Sequence, residues 1–175
     1  LKGRIDKVKK NYDFVIIDSS PSMNDEILSA MLASDNLFVV TTPDYPTLSC
    51  SLKAAKLAKE RGVPISGLII NKIRNPKYEL DLDEIEKAVE IPVVAKILDD
   101  PTHVEAIFTR VPASVYNKNS KFSREISRLS DAIAGEKTKT HFLRRLFSLR
   151  FGKEEVNRQI LRDNFYKSMF EENNG

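Results

Sequence analysis

The stretch Tyr12–Asp44, YDFVIIDSSPSMNDEILSAMLASDNLFVVTTPD, decides the fold. It opens on a short apolar, β-branched run that ends in an acid, FVIID at Phe14–Asp18. A helix-period segment follows, Asp25–Ser34, with Ser22 or Asn24 as its cap, and then a second apolar run, LFVVT at Leu37–Thr41. Neither run alternates polar with apolar residues, which predicts strands buried on both faces, as in parallel sheets. Working outward, ISGLIIN at Ile65–Asn71 and PVVAKI at Pro92–Ile97 predict two more strands. Helical patterns lie between and after them: Thr47–Arg61 stopping at Gly62, the short acidic Leu82–Glu90, Thr102–Thr109 and Ser120–Ala134. The order β-α-β-α-β-α-β predicts an α/β fold with a parallel sheet and right-handed crossovers. Ligands of such sheets bind at the carboxyl ends of the strands. Those ends are Asp18, Thr41–Thr42, Asn71 and Asp99–Asp100.

The chain has 175 residues, 41% hydrophobic and 30% charged, which suits one globular domain with an appendage. The single cysteine, Cys50, excludes a disulfide framework and a thiolate metal cluster within one chain, and fits a reducing compartment. No run approaches about 18 uninterrupted apolar residues, so no membrane span is expected. The first ten residues carry five Lys or Arg with no apolar block behind them, so no signal peptide is expected either. The chain starts at Leu1, in a polar helix running to Asn11, and is expected to be the C-terminal part of something longer.

The net charge of +3 is unevenly spread. Lys137–Lys153 holds six Lys or Arg and no acid, so the rest sums to −3. Such asymmetry points to an anionic membrane surface, a nucleic acid or an acidic protein as partner. Residues 1–135 read as the α/β body and 136–175 as a helical tail, joined by a polar linker at Glu136–Thr140. Within the tail, HFLRRLFSLRF (His141–Phe151) gathers Phe142, Leu143, Leu146, Phe147 and Leu149 on one broad side, flanked by Arg144, Arg145 and Arg150. That profile fits a helix in a membrane interface, and fits equally a terminal helix packed on the domain. The density of large apolar residues argues against DNA. Val156–Phe170 is a further amphipathic pattern, and Glu171–Gly175 is expected to fray.

Asp18, at the mouth of a strand and followed by Ser19, Ser20, Pro21 and Ser22, is placed to hold Mg²⁺ through water or to orient a nucleophile, or simply to cap the turn. Asn71 can read a purine edge with one donor and one acceptor, or form the turn before Lys72. Asp99-Asp100-Pro101 reads first as a helix cap with proline in the first turn. Gly62 and Gly67 have G-x-x-x-x-G spacing, but Leu68 and Ile69 follow where Lys and Ser or Thr are needed, so no phosphate loop is read there. His103 and His141 stand alone as surface residues, and Cys50 is expected to pack beside Leu48 and Leu52.

Tyr12–Asp44 together with GLIINKIR (Gly67–Arg74) and Ala95–Ile133 resembles the MinD/ParA family of deviant Walker A ATPases in order and spacing. The resemblance implies a P-loop NTPase-type three-layer sandwich, incomplete at its N-terminus because the phosphate-loop strand is absent. It implies ATP and Mg²⁺ as cofactors, with Asp18 holding Mg²⁺ through water and Ser19, Ser20 and Pro21 in the switch II turn. Asn71 would contact adenine, and Asp99, Asp100 and Pro101 would flank the base, with Leu98 where a proline is usual. HFLRRLF resembles the membrane-targeting helix of the MinD branch. Phe142, Leu143, Leu146 and Phe147 would enter the bilayer, with Arg144 and Arg145 at the headgroups, and ATP-driven homodimerisation would strengthen the hold. A regulatory protein partner and a cytoplasmic place, peripheral on the inner face of the cell membrane, follow from the same resemblance.

The family's K-G-G-x-G-K-[ST] loop and switch I do not occur in these residues, so this chain alone is not expected to hydrolyse ATP. The exposed apolar sheet edge is an aggregation hazard. The extra tail Glu154–Gly175 either lengthens the membrane helix or packs back on the body. A different class remains open, a non-catalytic adaptor that binds membrane or a partner without nucleotide turnover. A response-regulator receiver fits IIDSSPSMND superficially and fails for want of paired acids at an earlier strand end.

Overall fold

Leu68 and Ile70 are wholly buried in the middle strand of a three-stranded parallel sheet, with Ile69 between them turned to the opposite face. The computed structural model describes residues 1–19, 25–75, 77–135 and 152–172, except for the side chains of residues 26 and 165–172. The strands are β1 (Leu37–Thr41), β2 (Ile65–Ile73) and β3 (Val93–Leu98), in the order β1-β2-β3. Val39 pairs with Leu68, and Ile70 with Lys96. The helices are α1 (Lys2–Lys9), α2 (Asp25–Ala33), α3 (Tyr45–Glu60), α4 (Leu82–Val89), α5 (Pro101–Thr109), α6 (Ala113–Tyr116), α7 (Lys121–Ile133) and α8 (Lys153–Glu172).

Three layers result. On one face Leu48 and Ala55 of α3 and Ile85 and Val89 of α4 pack on Val39, Leu68 and Ile70. On the other, Leu129 and Ala132 of α7 and Leu161 of α8 pack on Val94, Ala95 and Ile97. Ile27 and Met31 of α2 extend the core against Ala58 and Val63. Unalternating strands give this arrangement because both faces of each must be covered by helices. At Gly62, φ is +70°, and the Val63 amide donates to the Ala58 carbonyl at 2.9 Å, closing α3 as the sequence predicts. Gly67 has a packing reason: a Cβ there would lie 2.7 Å from both γ carbons of Val94.

The predicted elements recur with ends shifted by a few residues. α3 starts at Tyr45 because Asp44 caps it, accepting from the Thr47 amide at 2.9 Å. α6 was not legible, being a single turn after Pro112. One expected strand is corrected. Phe14–Asp18 pairs with no strand, and Ile16 is 92% exposed. A β-branched run becomes a strand only beside a partner, and among the described residues β1 is an open edge, its Val40 55% exposed. The tail question is answered for the described residues: α8 packs back on β3 and α7. Of the apolar positions Val156, Ile160, Leu161, Phe165 and Met169, Leu161 is buried, Val156 and Ile160 are exposed, and the side chains of the last two lie outside the described residues, while Arg158 is buried.

Candidate functional site

The loops leaving the carboxyl ends of β2 and β3 are tied to each other. Past Asn71, Lys72 takes a left-handed φ of +56°, and its amide donates to Asn71 Oδ1 at 2.9 Å. Asn71 lies within β2, two residues before its end, and its side-chain oxygen is turned to the neighbouring backbone. Arg74 Nε reaches Asp99 Oδ2 at 2.5 Å, and the Asp99 amide donates to the Ile73 carbonyl at 2.9 Å. The pair is well exposed on the arginine side, so it orients the two loops more than it stabilises them.

Asp100 caps α5. Its carboxylate accepts from the Thr102 amide at 3.0 Å and the Phe122 amide at 3.4 Å, joining α5 to the start of α7, and Pro101 follows as the first helical residue. The hydrogen bond from the Thr102 side chain, then that from the Thr102 amide, holds the carboxyl below the usual carboxylate range. A depressed folded value means that the stabilisation is present above the ordinary carboxylate pKa and is lost as pH falls through the folded one. Asp100→Ala is expected to cost about 1 kcal/mol at neutral pH. The loss should fade in acid, checked by urea unfolding at several pH values. An equal loss at every pH would contradict the capping role.

Asp18 and Ser19 are exposed, and among the described residues no hydrogen bond or ion pair joins them to Asn71, Asp99 or Asp100. Ser20 and Pro21 lie outside the described residues, as do Phe142, Leu143, Arg144, Arg145, Leu146 and Phe147. No cluster of three or more His, Cys, Asp or Glu able to hold a metal forms among the described residues. Asn71, Asp99 and Asp100 thus lie at the same edge of the sheet, on adjacent strands and the loop that follows.

Sequence reasoning missed a cleft of about 770 Å³ between the start of α3 and the loop after β2, lined by Tyr45, Lys72, Arg74, Tyr78, Glu79 and Asp81 among others. Glu79 Oε1 accepts from the Arg74 amide at 2.7 Å. Residues 74–81 carry no motif, so only the unusual pair of exposed tyrosines hinted at it. Cys50 is exposed, which corrects its expected packing role: Leu48, Ser51 and Ala55 form the buried face of α3. His103 is exposed as expected, its ring centroid 5.1 Å from that of Phe122.

Parallel strands covered by helices on both faces, with polar loops at their carboxyl ends, make this a three-layer α/β sandwich. The AAA domain family matches residues 1–58. The septum site-determining protein MinD of Thermotoga maritima is 26% identical over 142 residues, covering 78% of this chain and 52% of that protein. An uncharacterised ATP-binding protein of Methanocaldococcus jannaschii is 27% identical over 131 residues, covering 75% and 50%. Among solved structures, MinD of Pyrococcus horikoshii complexed with Mg-ADP superposes with a TM-score of 0.70 at 27% identity, covering 79% of this chain and 58% of that one. These findings make the chain similar in sequence and fold to MinD and to other MinD/ParA-family proteins. The chain spans about half the length of the curated relatives it matches. No helix among the described residues is long and apolar enough to cross a membrane.

Proposed function

We propose that this chain is the base-side half of a MinD-like ATPase, which binds ATP, dimerises and attaches reversibly to an anionic membrane to place or partition cellular structures such as the division site. The observation that carries the reading is the bond from Arg74 to Asp99, which ties the loop after β2 to the loop after β3 in a parallel sheet that superposes on MinD of Pyrococcus horikoshii complexed with Mg-ADP. Asn71 meets the base through its amide nitrogen, and Asp99, Asp100 and Pro101 wall the base on its other side. Asp18 would hold Mg²⁺ through water, and Ser19, Ser20 and Pro21 would serve as the adjoining phosphate-sensing residues. Bound Mg²⁺ supplies charge neutralisation at the phosphates. No hydrolysis step is assigned to these residues, because the phosphate cradle is not among them.

Phe142, Leu143, Leu146 and Phe147 enter the bilayer, with Arg144 and Arg145 at the headgroups, which places the protein peripherally on the inner face of the cell membrane. A regulatory protein acts on it, as the MinC:MinD complex of Aquifex aeolicus illustrates for a structure that shares the fold. The nucleotide half of the reading is tested by Asn71→Ala in the whole protein. ATP affinity should weaken about tenfold, the worth of a hydrogen-bonding amide to a buried base, while Ser120→Ala, which removes the cap of α7, should lower stability and leave affinity within about threefold. Unchanged ATP affinity in Asn71→Ala would sink the base-contact assignment.

A further inference from the structure

The outer edge of β3 is closed by side chains in place of a fourth strand. The Val93 carbonyl accepts from Asn157 Nδ2 at 2.9 Å, the Val94 carbonyl from Arg158 at 3.0 Å, and the Lys96 amide donates to Glu125 Oε1 at 3.1 Å. Arg158 also pairs with Glu125 at 2.5 Å, so one guanidinium holds a strand carbonyl and the α7 carboxylate together. Two further clamps flank this fork. Lys153 reaches Glu86 at 2.6 Å and Asp83 at 3.4 Å on α4, and Glu154 pairs with Lys96 at 2.9 Å. Asn157 adds a bond to Glu86 at 2.9 Å.

Over residues 153–164 of α8, apolar contact contributes little by comparison. Among the described side chains of α8, Leu161 is the one buried apolar residue, and Val156 and Ile160 face solvent. A helix held to a sheet mainly by charge is docked differently from α3 or α7, whose apolar faces enter the core. Ion pairs that are partly exposed weaken as salt rises, whereas apolar contacts do not. An uncovered strand edge, in turn, invites pairing with another chain.

We propose that α8 is a releasable electrostatic strap that seals the outer edge of β3 and lifts from it without unfolding of the sheet. The strap rests on the contacts alone and is independent of the nucleotide and membrane readings.

The test is amide hydrogen exchange in the intact protein between about 0.05 M and 1 M NaCl. The α8 amides of residues 157–164 should exchange at least about tenfold faster at high salt, the combined effect of screening several partly exposed pairs. The Leu68 amide, which donates to the Pro92 carbonyl inside the sheet, should change by less than about twofold. Trypsin should cut after Arg158 at high salt and spare it at low salt. Lys153→Ala, at the exposed clamp, should raise α8 exchange about threefold at low salt. Arg158→Met should bring low-salt exchange near the high-salt level, and a variant that fails to fold leaves the parent's salt series to decide. Acceleration of Leu68 in step with α8, or no response of α8 to salt, would overturn the strap.

Discussion

Phe142→Glu together with Leu146→Glu should abolish sedimentation of the protein with anionic liposomes. Phe142 and Leu146 are four residues apart in HFLRRLF, on one side of the pattern, with Arg144 and Arg145 between them. Each large apolar side chain buried in lipid is worth about 1.5–3 kcal/mol, so losing two lowers binding by roughly a hundredfold or more. Two added carboxylates are repelled by the anionic surface as well. Arg144→Ala with Arg145→Ala should weaken binding by a smaller, salt-dependent factor, since each cation near the surface is worth about 1 kcal/mol. Full sedimentation of the double glutamate variant would remove the membrane reading of this segment.

The second large effect lies in the sheet. Ile70→Ala is expected to cost about 2–5 kcal/mol, because Ile70 is fully buried in the central strand and its cavity would open in the core cluster that includes Leu48 and Ile85. A domain of this size is stable by only about 5–15 kcal/mol, so the variant should unfold at a much lower urea midpoint. Val40→Ala provides the contrast. It sits on the open edge strand, 55% exposed, and should shift stability by less than about 0.5 kcal/mol. A loss at Ile70 no larger than that at Val40 would mean that the sheet is not the core.

The sheet was legible because its strands are unbroken apolar runs ending in polar turns, a pattern that local sequence carries fully. LIIN at Leu68–Asn71 and VVAKI at Val93–Ile97 left little choice of structure. FVIID carries the same pattern and is not a strand, since pairing depends on a neighbour that local sequence does not contain. The capping of α5 by Asp100 was readable, being local, whereas the Arg74–Asp99 pair spans 25 positions and has no pattern to announce it. The tail was legible in part, since Leu161 of its apolar pattern is buried whereas Val156 and Ile160 are not. Docking on a strand edge needs donors and acceptors, so Asn157 and Arg158 face inward while Val156 and Ile160, the apolar pair at helical spacing, face out. Periodicity finds apolar faces, and here the face that matters is polar.

The central claim is that Asn71 and Asp99–Asp100 form the base side of a nucleotide site completed by a phosphate loop on the same polypeptide. The most direct measurement is the intact mass of the native protein from its own cells, with a peptide digest. The account predicts a polypeptide longer than these 175 residues by about 90 to 110, with a lysine- and glycine-rich phosphate-loop peptide in the digest. A mass equal to that of the 175 residues alone, with no such peptide, would contradict it and leave the adaptor reading, in which function resides in the basic segment 137–153 and the surface that it meets.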